Sequence, residues 1–288
     1  MLHVGYEAAI RLEGRVLSDA DIQPIAPFTT ASVLPISGCT VEVVSVCLDA
    51  EPAAVGEFGQ CLSDEERFRA SRFVFERDRR RFIVGRARLR HLLASWLGVQ
   101  PDAVELAYGP RGKPALCGRF AESDLHFNVS HSEDVAVYAF SHGREVGIDV
   151  EAVRVLRDAD DIAARFFSSR ENEAYLALDP RDRPLGFFNC WTRKEAFIKA
   201  LGDGLYYPLD LFDVSLAPDE PARILRVENK SGDECAWRLE AFSPAPGFVA
   251  AVVIENREHR KDLRACTPQS ALVEEAAGRG MPEARVDR

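Results

Sequence analysis

The sequence predicts an α+β fold: two similar α/β lobes related by pseudo-twofold symmetry, an internal duplication, with an N-terminal extension and a flexible C-terminal tail. Three observations point there. Short β-branched runs are interspersed with longer helical periodicities rather than repeating as one regular βα series. A helix that carries a basic stripe or a Lys-Glu-Ala segment, a glycine-bearing loop and a pair of strands recur after about 100 residues. The composition is that of an ordinary globular chain: 288 residues, 47% hydrophobic and 28% charged, enough for one large domain or two small ones.

Residues 1–40 mix Pro, Thr, Ser and short apolar pieces without sustained periodicity, so they are expected to lie outside the main fold. The run Val41–Leu48, rich in β-branched residues, opens a first lobe over 41–143. Ser63 followed three positions later by Glu66 marks a helix start, and a second helix is expected from Arg79 to Leu97, stopped by Gly98. Pro110, Gly112 and Pro114 punctuate a loop, and Leu125–Ser130 and Val135–Phe140 read as strands. A second lobe over 144–255 starts with a strand at Val146–Val150. Helices follow near Asp160 and over Gly186–Leu201, broken by Gly202 and Gly204, then strands at Phe212–Leu216, Ala236–Phe242 and Phe248–Ile254. Residues 256–288 turn polar and mixed in charge and are expected to be disordered.

The net charge of −10 excludes global attraction to nucleic acid, and no stretch is long and apolar enough to span a bilayer. Charges interrupt the opening residues where a signal peptide needs an apolar core, and the seven cysteines include no Cys-x-x-Cys pair. A reducing cytoplasm is the expected setting. One segment departs from the acidic whole: Cys61 to His91 holds ten arginines against five acids, a local +5 able to attract an anion.

Four stretches could carry chemistry. In Val146-Gly147-Ile148-Asp149-Val150-Glu151 the two acids project from one face of a strand, and carboxylates so close repel unless a cation, a proton or a basic partner intervenes; oxygen-only ligands suit Mg²⁺. In Trp191-Thr192-Arg193-Lys194-Glu195-Ala196-Phe197-Ile198-Lys199, Glu195 and Lys199 share a helix face. Such a pair alone is an ordinary surface ion pair worth less than about 1 kcal/mol, but its large apolar neighbours require part of this helix to be buried. Phe127-Asn128-Val129-Ser130-His131-Ser132 is a strand rich in phosphate donors. Its Ser130 and His131 point to opposite faces, which argues against a hydrolase pair. Gly109-Pro110-Arg111-Gly112-Lys113-Pro114 presents Arg111 and Lys113 on a fixed loop but lacks the spacing of a nucleotide-binding phosphate loop.

Taken in order, the basic helices, GKP, FNVSHS, VGIDVE and WTRKEAFIKALGDGL resemble the 4′-phosphopantetheinyl transferases, in the long single-chain surfactin-synthetase-activating form, over approximately Val41 to Glu255. The resemblance implies an enzyme that moves the phosphopantetheine arm of coenzyme A, its co-substrate, onto a serine of an acyl or peptidyl carrier protein, polyketide or nonribosomal peptide biosynthesis being the typical setting, and releases adenosine 3′,5′-bisphosphate. It implies that Asp149, Glu151 and Glu195 surround Mg²⁺, that Lys199 neutralises phosphate charge and that Glu195 is the general base. It further implies that Lys113, Ser130 and His131 bind the coenzyme, with Arg69 beside His131 at the 3′-phosphate, and Arg111 presented next to Lys113. Arg86 matches a family arginine of structural or electrostatic role. Two fused lobes make a monomer sufficient. Docking of the carrier is expected on the +5 segment, including Arg72 and Arg77, with Leu205 and Tyr206 nearby. Two rivals are a non-catalytic coenzyme A or carrier-protein binding module and a metal-dependent nucleotide phosphohydrolase. The intact acidic and basic positions oppose the first, and the lack of a clustered His/Asp two-metal set opposes the second.

Overall fold

Most strands carry apolar residues on both faces, so each sheet needs cover on two sides. The structure, a computed structural model, describes residues 11–12, 15–16, 29–36, 39–109, 113–202, 207–228 and 233–256. Two-residue strands β1 (Arg11–Leu12) and β2 (Arg15–Val16) pair with each other. The chain then runs through β3 (Thr29–Ile36), β4 (Cys39–Cys47), α1 (Pro52–Phe58), α2 (Asp64–Ser71), α3 (Glu76–Leu97), the hairpin β5 (Leu106–Tyr108) and β6 (Pro114–Leu116), β7 (Leu125–Ser132) and β8 (Val135–His142). The second half follows as β9 (Val146–Ala152), α4 (Ala159–Phe166), α5 (Ser169–Ala177), α6 (Arg183–Leu201), the pair β10 (Phe212–Val214) and β11 (Ile224–Val227), β12 (Trp237–Phe242) and β13 (Phe248–Glu255). One antiparallel sheet has the order β3-β4-β8-β7 and the other β12-β13-β9. The mixed α/β class expected from the sequence is observed.

Residues 29–36 belong to the stretch expected to lie outside the fold, yet they form β3, registered along β4 from Thr29↔Val46 to Ile36↔Cys39. Without β3, β4 would present a row of unpaired backbone groups, and a Thr/Ser/Val/Ile run is well suited to cover it. Residues 1–10, 13–14, 17–28 and 37–38 of the extension, the tail from 257 onward, and Arg111, Gly204, Leu205 and Tyr206 lie outside the described residues.

Helix ends follow local chemistry. Ser63 and Glu66 exchange both hydrogen bonds of a capping box at the start of α2, and Gly98 closes α3 in the left-handed region at φ +67°. Ser168 and Glu171 form a second capping box, on α5. That helix escaped the sequence reading although its Ser-x-x-Glu signal matches the one at 63–66. The β5–β6 hairpin was likewise legible only as loop punctuation, because its strands are three residues each.

Period-2 alternation divides the core into three clusters. Val44 and Val46 of β4 turn toward α3, packing with Val84, Leu89 and Leu93, while Val41 and Val43 turn inward. Ala251 and Val253 of β13 face α6, while Ala250, Val252 and Ile254 turn inward. Between the sheets the inward residues meet Val146, Ile148 and Val150 of β9. The order of layers is therefore helices, sheet, sheet, helices. Among the described residues no helix is long and apolar enough to cross a membrane.

Each half also buries an ion pair between its capping-box glutamate and its long helix. Glu66 accepts from Arg90 Nε at 2.6 Å, and Arg90 Nη1 donates onward to the carbonyls of Pro101 and Val104. Glu171 meets Lys194 Nζ at 2.7 Å; this ammonium also donates to the carbonyls of Leu209 and Phe212, and its residue is fully buried. The lysine of the Lys-Glu-Ala segment is thus a tertiary clamp that ties α6 to α5 and to the approach to β10. Removing one partner of such a pair leaves the other charge buried alone. Lys194→Met is expected to cost about 3–5 kcal/mol of folding stability, read as a lower urea midpoint with unchanged slope.

Candidate active site

Helix α6 lies directly on β9 because β9 has no side chain where the two meet. A Cβ at Gly147 would stand 2.1 Å from the carbonyl oxygen of Ala196 and 2.4 Å from the amide nitrogen of Ala200. Asp149 and Glu151 follow on the same face of the strand, so they are held against the helix surface that carries Glu195 and Lys199. The i, i+4 spacing places Glu195 and Lys199 one turn apart.

Lys199 Nζ donates to Asp149 Oδ1 at 2.6 Å, to Ser130 Oγ at 3.1 Å and to the Ile148 carbonyl at 3.2 Å. Its donors are engaged within the protein, so a phosphate would share or displace these partners. Asp149 is 4% exposed, and its second oxygen, Oδ2, is buried without a hydrogen-bond partner. Glu195 is pushed up to about 7 by burial first, then by the charge of Asp149 and the weaker charge of Glu151, with Lys199 opposing. Burial likewise raises Glu151, against a hydrogen bond from Ser132.

The two faces of β7 do different work. Asn128, Ser130 and Ser132 point toward β9: Asn128 Oδ1 accepts from the Ile148 N–H, Ser130 Oγ donates to Asp149 Oδ1 at 2.7 Å, and Ser132 Oγ donates to Glu151 Oε2 at 2.8 Å. Val129 and His131 face the other way, into a cleft of about 660 Å³ lined also by Arg69, Arg77, Arg81, Arg86, Phe82 and Tyr138. Arg69 and Arg86 stack over the Phe82 ring. Desolvation, Lys199, Arg86 and Arg69 hold the His131 imidazole below its usual value. Ser130 and His131, neighbours in the chain, therefore serve the acidic cluster and the basic cleft respectively. Lys113 donates to the Lys199 carbonyl at 3.0 Å and lies 4.0 Å from Glu145.

The arginine-rich segment is less free than its sum of +5 suggests. Arg90 and Arg88 are buried, Arg67 and Arg79 pair with Asp64 and Glu76, and Arg81 pairs with Asp49. Arg77, expected on a docking surface beside Arg72, lines the cleft with its side chain 67% exposed. Sequence reasoning missed Ser132 as a partner of Glu151, although its period-2 relation to Ser130 was available.

Among the described residues no three His, Cys, Asp or Glu side chains are gathered to hold a metal ion. Asp149 Oδ1 is committed to Lys199 and Ser130, and Glu151 Oε2 to Ser132. The donor chemistry nevertheless fits a hard divalent cation: the unpartnered Asp149 Oδ2 and the crowding that raises Glu195 are both features a cation would relieve. With no cation bound, the folded state holds the Glu195 proton more tightly than the unfolded chain does. This group's contribution to stability is therefore lost as pH rises from about 4.5 to about 7. In the absence of divalent ions Glu195→Gln is expected to be more stable than the parent at pH 8, by about 1–3 kcal/mol, and equal to it at pH 4; urea melts at the two values check this.

Residues 145–253 match the 4′-phosphopantetheinyl transferase superfamily, and residues 51–143 match the N-terminal unit of 4′-phosphopantetheinyl transferases. The chain is 40% identical over 214 residues to the 4′-phosphopantetheinyl transferase HetI of Nostoc sp., covering 74% of this chain and 87% of that protein. It is 30% identical over 206 residues to the 4′-phosphopantetheinyl transferase Sfp of Bacillus subtilis, covering 72% and 88%. Similarity extends to the L-aminoadipate-semialdehyde dehydrogenase-phosphopantetheinyl transferase of Xenopus laevis, 30% over 167 residues and 55% of each chain.

Proposed function

The chain belongs to the 4′-phosphopantetheinyl transferase superfamily, and from that premise we propose that Glu195 and Lys199 act on the diphosphate of coenzyme A while Asp149, Glu151 and Glu195 hold a magnesium ion. It is a transferase that moves the phosphopantetheinyl arm of coenzyme A to a carrier protein. The observation that carries the site assignment is the meeting of Asp149, Glu195 and Lys199 on the two elements packed at Gly147, next to a cleft lined by arginines and His131.

The 3′-phosphate is assigned to Arg69 and His131 in the cleft, which gathers positive charge inside an acidic protein. Lys113, held against the end of α6, and Ser130 are assigned to the diphosphate side, as is Arg111, two positions before Lys113 in the sequence. A magnesium ion held by Asp149, Glu151 and Glu195 would supply positive charge to the diphosphate. Glu195 removes the proton from the carrier serine hydroxyl, directly or through water. The serine oxygen forms the new bond to phosphorus, the diphosphate bridge breaks, and adenosine 3′,5′-bisphosphate leaves with its charge met by Lys199. No nucleophile of this chain is required.

The halves 41–143 and 144–255 are read as an internal duplication. Each runs strand, three helices, a short two-stranded unit and two strands, with sheet orders β4-β8-β7 and β9-β13-β12. Acidic strand and basic cleft come from different halves of one chain, which supports function as a monomer. Cys47, Cys61, Cys117, Cys190 and Cys235 are free thiols, in keeping with a reducing cytoplasm.

Carrier docking is assigned to the α2–α3 turn. Phe68, Val74 and Phe75 are exposed there, Arg72 lies over the Phe68 ring, and an acidic partner would meet both the apolar and the positive surface.

Incubation with apo carrier protein, coenzyme A and Mg²⁺, followed by intact mass measurement, is expected to show addition of one phosphopantetheinyl group. Glu195→Gln is expected to bind coenzyme A and transfer about 10²–10⁴-fold more slowly; full activity would remove Glu195 from the mechanism. The double variant Phe68→Ser/Arg72→Glu is expected to raise KM for the carrier about tenfold, with coenzyme affinity and saturated rate retained, and unchanged kinetics would move docking elsewhere.

A further inference from the structure

The strand β7 is an edge of the first sheet and β9 an edge of the second, and they run side by side in the same direction without sharing a strand ladder. Side chains take the place of the missing backbone bonds. Asn128, Ser130 and Ser132, at alternate positions of β7, reach Ile148, Asp149 and the Glu151–Ala152 pair in turn.

The two hydroxyls share one pattern. Ser130 Oγ donates to Asp149 Oδ1 and accepts from Lys199 Nζ at 3.1 Å. Ser132 Oγ donates to Glu151 Oε2 and accepts from the Ala152 N–H at 3.2 Å. A serine hydroxyl has one proton, and an N–H aimed at its lone pair turns that proton toward the other neighbour. At Ser132 the other neighbour is the Glu151 carboxylate. Ser132 is buried, so water does not compete for the bond, whereas Glu151 retains access to the site.

We propose that Ser132 is a positioning residue for the transfer reaction: its hydroxyl, oriented by the Ala152 N–H, fixes the rotamer of Glu151 and so the direction in which that carboxylate faces Asp149 and Glu195. The inference rests on the assignment of Glu151 to the reaction site. Groups that orient a ligating carboxylate without touching substrate typically contribute about 10–100-fold.

The test compares Ser132→Ala, Ser132→Thr, Glu151→Gln and the double variant Ser132→Ala/Glu151→Gln in carrier-transfer kinetics, with coenzyme A affinity by calorimetry and the thermal midpoint of each. Ser132→Ala is expected to lower kcat about tenfold while coenzyme affinity stays within about twofold. Ser132→Thr, which keeps the hydroxyl, is expected to recover most of the rate. The double variant is expected to be no slower than Glu151→Gln alone, since both changes act through one carboxylate. Parent-like kcat in Ser132→Ala, failure of threonine to restore rate, or additive losses in the double variant would overturn the proposal. A fast Glu151→Gln would overturn the site assignment beneath it, whereas a slow Glu151→Gln beside a normal Ser132→Ala rejects the positioning role alone.

Discussion

The contact on which the site depends is that of α6 with β9 at Gly147. A helix normally stands off a sheet by the thickness of the side chains between them. Here one position has none, and the backbone of Ala196 and Ala200 occupies the space a methyl group would fill. That approach brings Lys199 within hydrogen-bond distance of Asp149 and places Glu195 where burial first, and then two other carboxylates, raise its proton affinity. The electrostatic character of the site therefore follows from a steric fact two residues before Asp149.

Around that contact the structure separates residues that the chain keeps together. Lys194 and Glu195 are adjacent, but one residue turns about 100° around a helix, so Lys194 enters the core to meet Glu171 while Glu195 faces the acidic strand. Ser130 and His131 are adjacent on a strand, so one serves Asp149 and the other the basic cleft. In both cases a short motif supplies two surfaces at once. This economy requires that each motif be buried on one side and open on the other.

The arginines divide in the same way. Arg90 is satisfied by Glu66 and two main-chain carbonyls inside the first half, as Lys194 is by Glu171 and two carbonyls inside the second. Arg69, Arg77, Arg81 and Arg86 line the cleft, where Arg81 and Arg86 also meet Asp49 and Glu66. Net charge over a segment cannot distinguish these fates, because it counts an arginine locked in the core equally with one facing an anion.

Local patterns in the chain were sufficient to place Ser63 and Gly98 as helix boundaries, the strands at 125–130, 135–140 and 146–150, each two residues short of its observed end, and Asp149 with Glu151 on one strand face, because capping and period-2 alternation act over a few residues. They were also sufficient to put Glu195 and Lys199 on one helix face. The role of residues 29–36 as a fourth strand, the burial of Arg90 and Lys194 and the bond from Ser132 to Glu151 were decided only by the tertiary structure. The buried cations and Ser132 depend on partners 11 to 24 residues away, and β3 on a strand whose arrival pairs residues up to 17 apart. Which of a side chain's two neighbours, water or protein, satisfies it is settled only when the distant element arrives.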